Sequence, residues 1–442
     1  MACRPRQDDA LTHFASVSYI YRRRAPRWFC AAQRSPNEDV VSMDKIRILL
    51  VDDEATVLKV VQMAMRATIE CDIITATSAG EALRIMEKER IDAVVCDIGM
   101  PVMDGATFVN VVAELYPNTT RLIFTALRST DALGLQTAGA AHQFFLKPTS
   151  IRLLAEKIKC VQRLRSRLPA QGMDMIVAKV RSLPSLPAVY TELEQALNHP
   201  NSSMDMVGKV LEKDIAMSAK VLQLVNSAFF GTHERMTRPA QAAVHLGGEV
   251  LKSLLLGLHL FTAWKTPCIP CSSIQELWRH GLAVATAARE IALAEGCTRA
   301  QADEYYAAGL FHDIGKIIIA DNLPESCDHI QKIVQERGVA ITQAEKEVLG
   351  ATHAEAGAYL MALWGFSDNI VNSCAFHHQP SQDATPGCGP LAAVHVANVF
   401  DHAQVPCGKI PMATLDQAYI VRMGLAPKME AWRRLAAGAV PA

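Results

Sequence analysis

The chain has 442 residues, half of them apolar, and a net charge of −1. That is enough core for roughly two to four domains at ~100–200 residues each, and it excludes nucleic-acid binding driven by bulk positive charge. No stretch reaches the roughly 18–20 apolar residues needed to span a bilayer. The twelve cysteines are scattered in apolar surroundings without a secretory signal before them, as expected of a reducing cytoplasm. Cys268 and Cys271 have a redox or half-zinc spacing, but no second pair accompanies them.

Residues 1–42 cluster Arg22, Arg23, Arg24 and Arg27 ahead of Trp28 and Phe29 and keep no periodicity. They are expected to be a disordered leader or the product of an upstream start, with Met43 the natural beginning. From Lys45 to about Arg165 strands and helices alternate five times. The strands are Ile46–Val51, Asp72–Ala76, Ala93–Cys96, Thr120–Thr125 and His142–Leu146. Helical patterns fall near Ala55–Thr68, Ala79–Glu89, Thr107–Leu115, Ser129–Thr137 and Ser150–Arg165. Such alternation predicts a doubly wound α/β domain, a five-stranded parallel sheet with helices on both faces. Ligands then sit outside the strand carboxyl ends. That edge receives Asp52, Asp53 and Glu54 after the first strand and Asp97 after the third, with Gly99, Pro101 and Gly105 forcing the turn. Carboxylate oxygens suit Mg²⁺, and Thr125 and Lys147 end the fourth and fifth strands beside them.

The motifs VDDE at 51–54, CDIGMPVMDG at 96–105, FTA at 124–126 and FLKP at 145–148 resemble the receiver domain of bacterial response regulators, a flavodoxin-like fold. The resemblance implies that Asp97 accepts a phosphoryl group from a sensor histidine kinase. Asp53 and Asp97 would hold Mg²⁺, Asp52 would contribute through water and Gly99 through its carbonyl. It further implies that Thr125 and Lys147 contact the phosphoryl oxygens, and that Phe144 is the aromatic that swings inward on phosphorylation.

Residues 166–174 read as a polar linker ending near Pro169 and Gly172. Beyond it the pattern is nearly all helical, with no convincing strand. Helices are expected at Ala188–Leu197, Met204–Leu211, Ile215–Val225, Pro239–Leu246 and Leu251–Lys265, with Pro187 suited to a first helical turn. Eleven of the fourteen histidines lie from His233 onward. His280 sits in Ile274–Ala294, His312 and Asp313 in GLFHDIGK one turn before Lys316, His353 at the start of a helix, and His377 and His378 at the end of the next. A lone histidine on an apolar helix is usually core. Five on separate helices point to a second metal pocket, and imidazole with carboxylate suits Fe, Mn or Zn.

SLPSLPAV at 182–189, KDIAMSAKVLQLVNSAFFG at 213–231, AAVHLGG at 242–248, GLFHDIGK at 309–316, HAEAGAYLMALWGF at 353–366 and HH at 377–378 resemble the HD superfamily of metal-dependent phosphohydrolases. They are more similar still to its relative, the HD-related output (HDOD) domain, over about 175–401. Members of that family are mostly non-catalytic signalling modules behind sensory or receiver domains. The catalytic relatives follow HH with Gly-Tyr-Pro and supply a later Asp ligand. Here Gln379 and Pro380 follow, and Asn398 stands near that position, with Asp401 three residues on. Residues 402–442, including Trp432, Arg433 and Arg434, are expected to form a C-terminal tail with a short helix near Leu415–Met423.

The expectation is a cytoplasmic response regulator whose helical domain signals through a downstream protein, with homodimer formation allowed and no direct DNA contact. The alternative is a receiver-controlled phosphohydrolase acting on a cyclic dinucleotide or nucleotide.

Overall fold

The computed structural model describes residues 45–126, 140–147, 151–159 apart from 153, 183–199 apart from 186, 203–226, 235–248, 251, 261–263, 273–383, 389–404 and 413–438. The predicted leader, the helix Ser129–Thr137, the linker 166–174, the Cys268–Cys271 pair and the Lys147–Pro148 junction fall wholly or partly outside these residues.

Strands β1 (Ile46–Val51), β2 (Cys71–Ala76), β3 (Ala93–Cys96), β4 (Thr120–Thr125) and β5 (Gln143–Leu146) form a sheet in the order β2-β1-β3-β4-β5. Every pair in it is parallel. β3 and β4 are buried along their whole length, which is why β3 runs apolar rather than alternating. Ile48 and Leu50 pack on one face with Leu58, Val61 and Met65 of helix α1 (Ala55–Arg66) and with Leu154 and Ile158. Leu49 and Val51 pack on the other with Leu83 of α2 (Ala79–Met86) and Phe108 and Val112 of α3 (Gly105–Leu115). Asp104 caps α3 by accepting from Thr107 N at 2.7 Å.

The second body consists of helices α4 (Pro187–Asn198), α5 (Met204–Leu211), α6 (Ile215–Val225), α7 (Pro239–Leu246), α8 (Ile274–Ala294), α9 (Arg299–Phe311), α10 (Ile314–Asn322), α11 (Pro324–Arg337), α12 (Ile341–Leu349), α13 (His353–Leu363), α14 (Asp368–Phe376), α15 (Pro390–Gln404), α16 (Gln417–Arg422) and α17 (Met429–Gly438). α4 begins on Pro187, whose missing N–H costs nothing in a first turn.

Two expectations are corrected. The body is not purely helical: Leu183–Ser185 (β6) pairs in parallel with Phe261–Ala263 (β7), the latter inside the stretch predicted as helix. Pro184 forces Leu183 toward extended backbone, and the partner strand lies far along the chain, beyond any local periodicity. The segment drawn as a tail is also part of the body. The boundary at Asp401 falls within α15, and α17 buries Trp432, whose Nε1 donates to Glu295 Oε1 at 2.9 Å. Arg433 and Arg434 remain exposed.

Candidate functional sites

At the carboxyl edge of the sheet, Lys147 Nζ donates to Asp52 Oδ2 at 2.6 Å and to Asp97 Oδ2 at 2.7 Å. Asp52, Asp53 and Asp97 bring carboxylate oxygens within 4.8 Å of one another, with Asp53 the exposed member. Backbone amides fix two of these groups: Glu54 N donates to Asp52 Oδ1 at 2.9 Å and Ile98 N to Asp97 Oδ1 at 2.7 Å. Gly105 is obligatory, because a Cβ there would lie 1.9 Å from the Asp97 carbonyl oxygen. Burial pulls the Lys147 pKa down, but hydrogen bonds and charge from Asp52 and Asp97 outweigh it, so the net shift is upward. Thr125 is buried at the end of β4, and its carbonyl accepts from Lys147 N at 2.9 Å. Gly99 follows Asp97 by two residues. Phe144 stands on β5 in register with Ile123, its side chain outside the described residues. Three hard oxygen donors fit a Mg²⁺ ion, with a lysine able to share their negative charge.

The second site lies inside the helical body. All six residues singled out in sequence converge there. His280 comes from α8, and His312 and Asp313 from the junction of α9 and α10. His353 opens α13, while His377 and His378 follow α14. Asp313, His353, His377 and His378 form one group with ligand atoms within 4.8 Å of one another, and His280, His312 and Asp313 form a second. Asp313 belongs to both. Its Oδ1 lies 3.2 Å from His353 Nε2 and 3.5 Å from His377 Nε2, while Oδ2 lies 3.4 Å from His312 Nε2 and 3.7 Å from His280 Nε2.

The outer nitrogens explain the orientation. His280 Nδ1 is 2.7 Å from Asp401 Oδ2, and His353 Nδ1 is 2.8 Å from Glu345 Oε2. His312 Nδ1 meets Gly309 O at 2.6 Å and His377 Nδ1 meets Cys374 O at 2.9 Å. Since carbonyl and carboxylate oxygens only accept, each of these four Nδ1 atoms is the donor, and each ring turns its Nε2 inward toward Asp313. His280 Nε2 and His312 Nε2 then face each other at 3.2 Å. Without a proton between them two such nitrogens repel, whereas two metal–nitrogen bonds near 2.1 Å at ordinary angles put their nitrogens about 3.0–3.4 Å apart. Asp313 Oδ1 and His377 Nε2 are buried without a hydrogen-bond partner, a costly state that a shared cation removes. A carboxylate or carbonyl behind each of these four imidazoles is also the arrangement that holds metal-ligating histidines. The residues fit a transition metal.

Burial pushes the His377 pKa down to about 3 and lowers that of His378 well below the usual value. For His353 the Glu345 carboxylate overrides burial and the net shift is upward. Asp313 is held far below the usual carboxylate range: burial opposes this, but Lys316, with Nζ at 2.6 Å from Oδ2, and the histidines prevail. Glycines allow the approach of the helices. A Cβ on Gly315 would lie 1.9 Å from the His353 carbonyl oxygen, and one on Gly309 2.7 Å from Ala285 Cα.

Glu345 went unread in the sequence, where it looks like one of several charges on an amphipathic helix, yet it is only 2% exposed. Asp401 is better described as the group orienting His280, and it also receives a bidentate pair from Arg279 at 2.8 and 2.9 Å. Asn398 lies one turn before Asp401 on α15 with both amide atoms buried and unpaired. His402 stacks on His280 at 4.2 Å between ring centres. Acidic or histidine side chains on otherwise apolar helices are the signal that identifies this last group.

A parallel α/β sheet with an acidic, lysine-bridged edge, joined to a helical body with an HD pair, defines a two-module class. Family comparison agrees: residues 48–159 match the response regulator receiver domain and residues 183–380 the HDOD domain. The chain contains a receiver domain followed by an HDOD domain. An uncharacterized protein of Treponema pallidum is 25% identical over 259 residues, covering 58% of this chain and 49% of that protein. The transcriptional regulatory protein PrrA of Mycobacterium tuberculosis is 28% identical over 130 residues, 29% of this chain and 55% of PrrA. This chain thus spans about half the length of these curated relatives. Among solved structures, the MmoQ response regulator of Methylococcus capsulatus aligns over 60% of this chain and 99% of its own, at 19% identity and a TM-score of 0.46. Among the described residues no helix is long and apolar enough to cross a membrane.

Proposed function

We propose that this protein is a two-component response regulator phosphorylated on Asp97 by a histidine kinase, and that its helical domain relays the signal to a downstream protein. Lys147 bridging Asp52 and Asp97 is the observation that carries this reading. An Asp97 carboxylate oxygen attacks the phosphorus of the kinase phosphohistidine. The new O–P bond replaces the N–P bond, and the imidazole leaving group takes a proton from water. Asp52, Asp53, Asp97 and the Gly99 carbonyl would hold Mg²⁺, which supplies charge neutralisation at the phosphoryl oxygens. Lys147 is placed to exchange its Asp97 contact for a phosphoryl oxygen, and Thr125, at the end of the neighbouring strand, would contribute its hydroxyl to the same oxygens. Asp97→Asn should abolish labelling by acetyl phosphate. Undiminished labelling of that variant would overturn the assignment.

The convergent Nε2 atoms favour a second element of the proposal: a transition-metal centre of Fe, Mn or Zn held by His280, His312, Asp313, His353, His377 and His378. Catalytic hydrolysis of a cyclic dinucleotide or nucleotide is the lesser reading. His312, His353 and His377 are fully buried, and an amide stands at Asn398 where the catalytic relatives place a carboxylate. A catalytic metal needs an open position for water. Phosphodiesterase assay in Mn²⁺ separates the two: turnover abolished by Asp313→Ala would establish the hydrolase, and its absence would leave a signalling module. The proposed setting is the cytoplasm, and solution mass measurement tests for homodimers.

A further inference from the structure

Among the described residues, polar contacts between the receiver and helical domains include three that are buried and one that is half-buried. Gln143 of β5 donates from Nε2 to the carbonyls of Leu363 at 2.7 Å and Ala362 at 3.4 Å. In the opposite direction Gln223 of α6 donates to His142 O at 3.0 Å. Lys157 Nζ reaches Gly365 O at 3.4 Å. Gly365, at φ 78°, leaves room for Gln143: a Cβ there would lie 2.9 Å from the Gln143 Oε1. Three of the four acceptors, Leu363, Ala362 and Gly365, belong to the C-terminal end of α13 and the residues just after it.

The other end of α13 is His353. Its N–H donates to Glu345 Oε2 at 2.9 Å, and its imidazole enters the His/Asp cluster. Eleven residues of α-helix make a rod of about 16 Å between these ends. Midway, Gly357 packs closely against Gly315, so that α13 lies directly on α10, the helix that begins just after Asp313. Any shift of α13 along its axis therefore changes the position of His353 relative to Asp313.

A similar rod lies on the receiver side. β5 is four residues, roughly 13 Å, held in register with β4. Gln143 is at its start, and Lys147, bound to Asp52 and Asp97, follows its end. Phosphorylation would replace a carboxylate oxygen under Lys147 with a larger dianionic group. Gln223 Oε1 is buried without a partner, so the seam carries an unsatisfied acceptor that a shift of either domain could pair.

We propose that α13 couples the phosphoacceptor pocket to the His/Asp cluster through β5 and Gln143, so that phosphorylation of Asp97 alters metal affinity at His353 and metal binding alters phosphorylation in return. The reciprocity follows from linkage between two sites that bias one element. The proposal rests on the metal-centre reading, and its test separates the two. The full chain is saturated with Mg²⁺ and beryllofluoride, with bound fluoride verified by fluorine NMR. Mn²⁺ affinity and amide hydrogen exchange over 353–363 are then measured with and without it.

The expected result is a change of about fivefold or more in Mn²⁺ affinity, with altered exchange over 353–363. Both should vanish in Gln143→Leu, which keeps the volume but removes the donor; Gln143→Ala serves if that variant does not fold. Exchange and affinity that ignore beryllofluoride would overturn the coupling, and a response that persists in both Gln143 variants would overturn its route. Altered exchange without any Mn²⁺ uptake would sink the metal centre while supporting transmission through α13.

Discussion

The two candidate sites use carboxylates in opposite ways. In the receiver pocket the acids lie at strand ends, open to a crevice, with Asp53 exposed and the Asp97 side chain 14% accessible. Lys147 there holds Asp52 and Asp97 at an edge that an incoming group can reach. In the helical cluster the acid is enclosed: Asp313 is 3% exposed, and His312, His353 and His377 beside it are fully buried. An open, lysine-balanced site suits a group that comes and goes. A closed site lined by oriented imidazoles suits an ion that remains, or whose loss is felt by the fold.

The sharpest way to break this comparison is to remove one acid from each site. Asp313→Ala leaves Lys316 buried without its counter-ion, and removal of one partner of a buried pair costs about 3–5 kcal/mol. Asp53→Ala should leave stability within about 0.5 kcal/mol, as exposed substitutions do, yet lose acetyl phosphate labelling. Thermal unfolding of the two variants reads the contrast, and equal losses would dissolve it.

A smaller effect is expected one layer out. Glu345→Gln keeps the size of the group behind His353 but removes its charge, and loss of such a partner weakens metal affinity roughly 10–100-fold. Isothermal titration with Mn²⁺ reads this; unchanged affinity would reduce Glu345 to a packing role.

Lys220 concerns the ground between the sites. It is 2% exposed and lies over the Trp364 ring at 4.9 Å, with burial driving its pKa down to about 7. The unfolded chain binds a proton that the folded chain releases between about pH 7 and 10.5, so this group makes stability rise with pH across that window. Lys220→Met should flatten the rise and add about 1–4 kcal/mol near neutral pH, as replacing buried ions with apolar groups can. Denaturant melts at several pH values decide it, and an unchanged slope would count against the buried cation.

The smallest effect belongs to Val102, fully exposed at φ 70° in the turn after Asp97. A β-branched residue pays roughly 1–2 kcal/mol in that region, so Val102→Gly should relieve about 1 kcal/mol of strain in a thermal melt. A lower melting temperature would show that the loss of chain entropy in glycine prevails.

Legibility in the sequence followed locality. Strand β3 and the Asp97 turn were readable because apolar run, acid and glycines lie within fifteen residues. The histidines of the helical domain were readable as unusual residues on apolar helices. Glu345 was not, because its burial is produced by the packing of α12 against the start of α13. The β6–β7 ladder was not either, since its two halves are 78 positions apart, from Leu183 to Phe261, and each is only three residues long. The seam through Gln143 is a property of the assembled domains alone.

The contrast between an exchangeable and a retained ion is tested most directly by elemental analysis of the full chain after desalting into Mg²⁺-free buffer. The account predicts that wild-type protein loses Mg²⁺ but retains Fe, Mn or Zn in near-stoichiometric amount, and that Asp313→Ala retains none. Wild-type protein that keeps no transition metal, and takes up none when supplied, would contradict it.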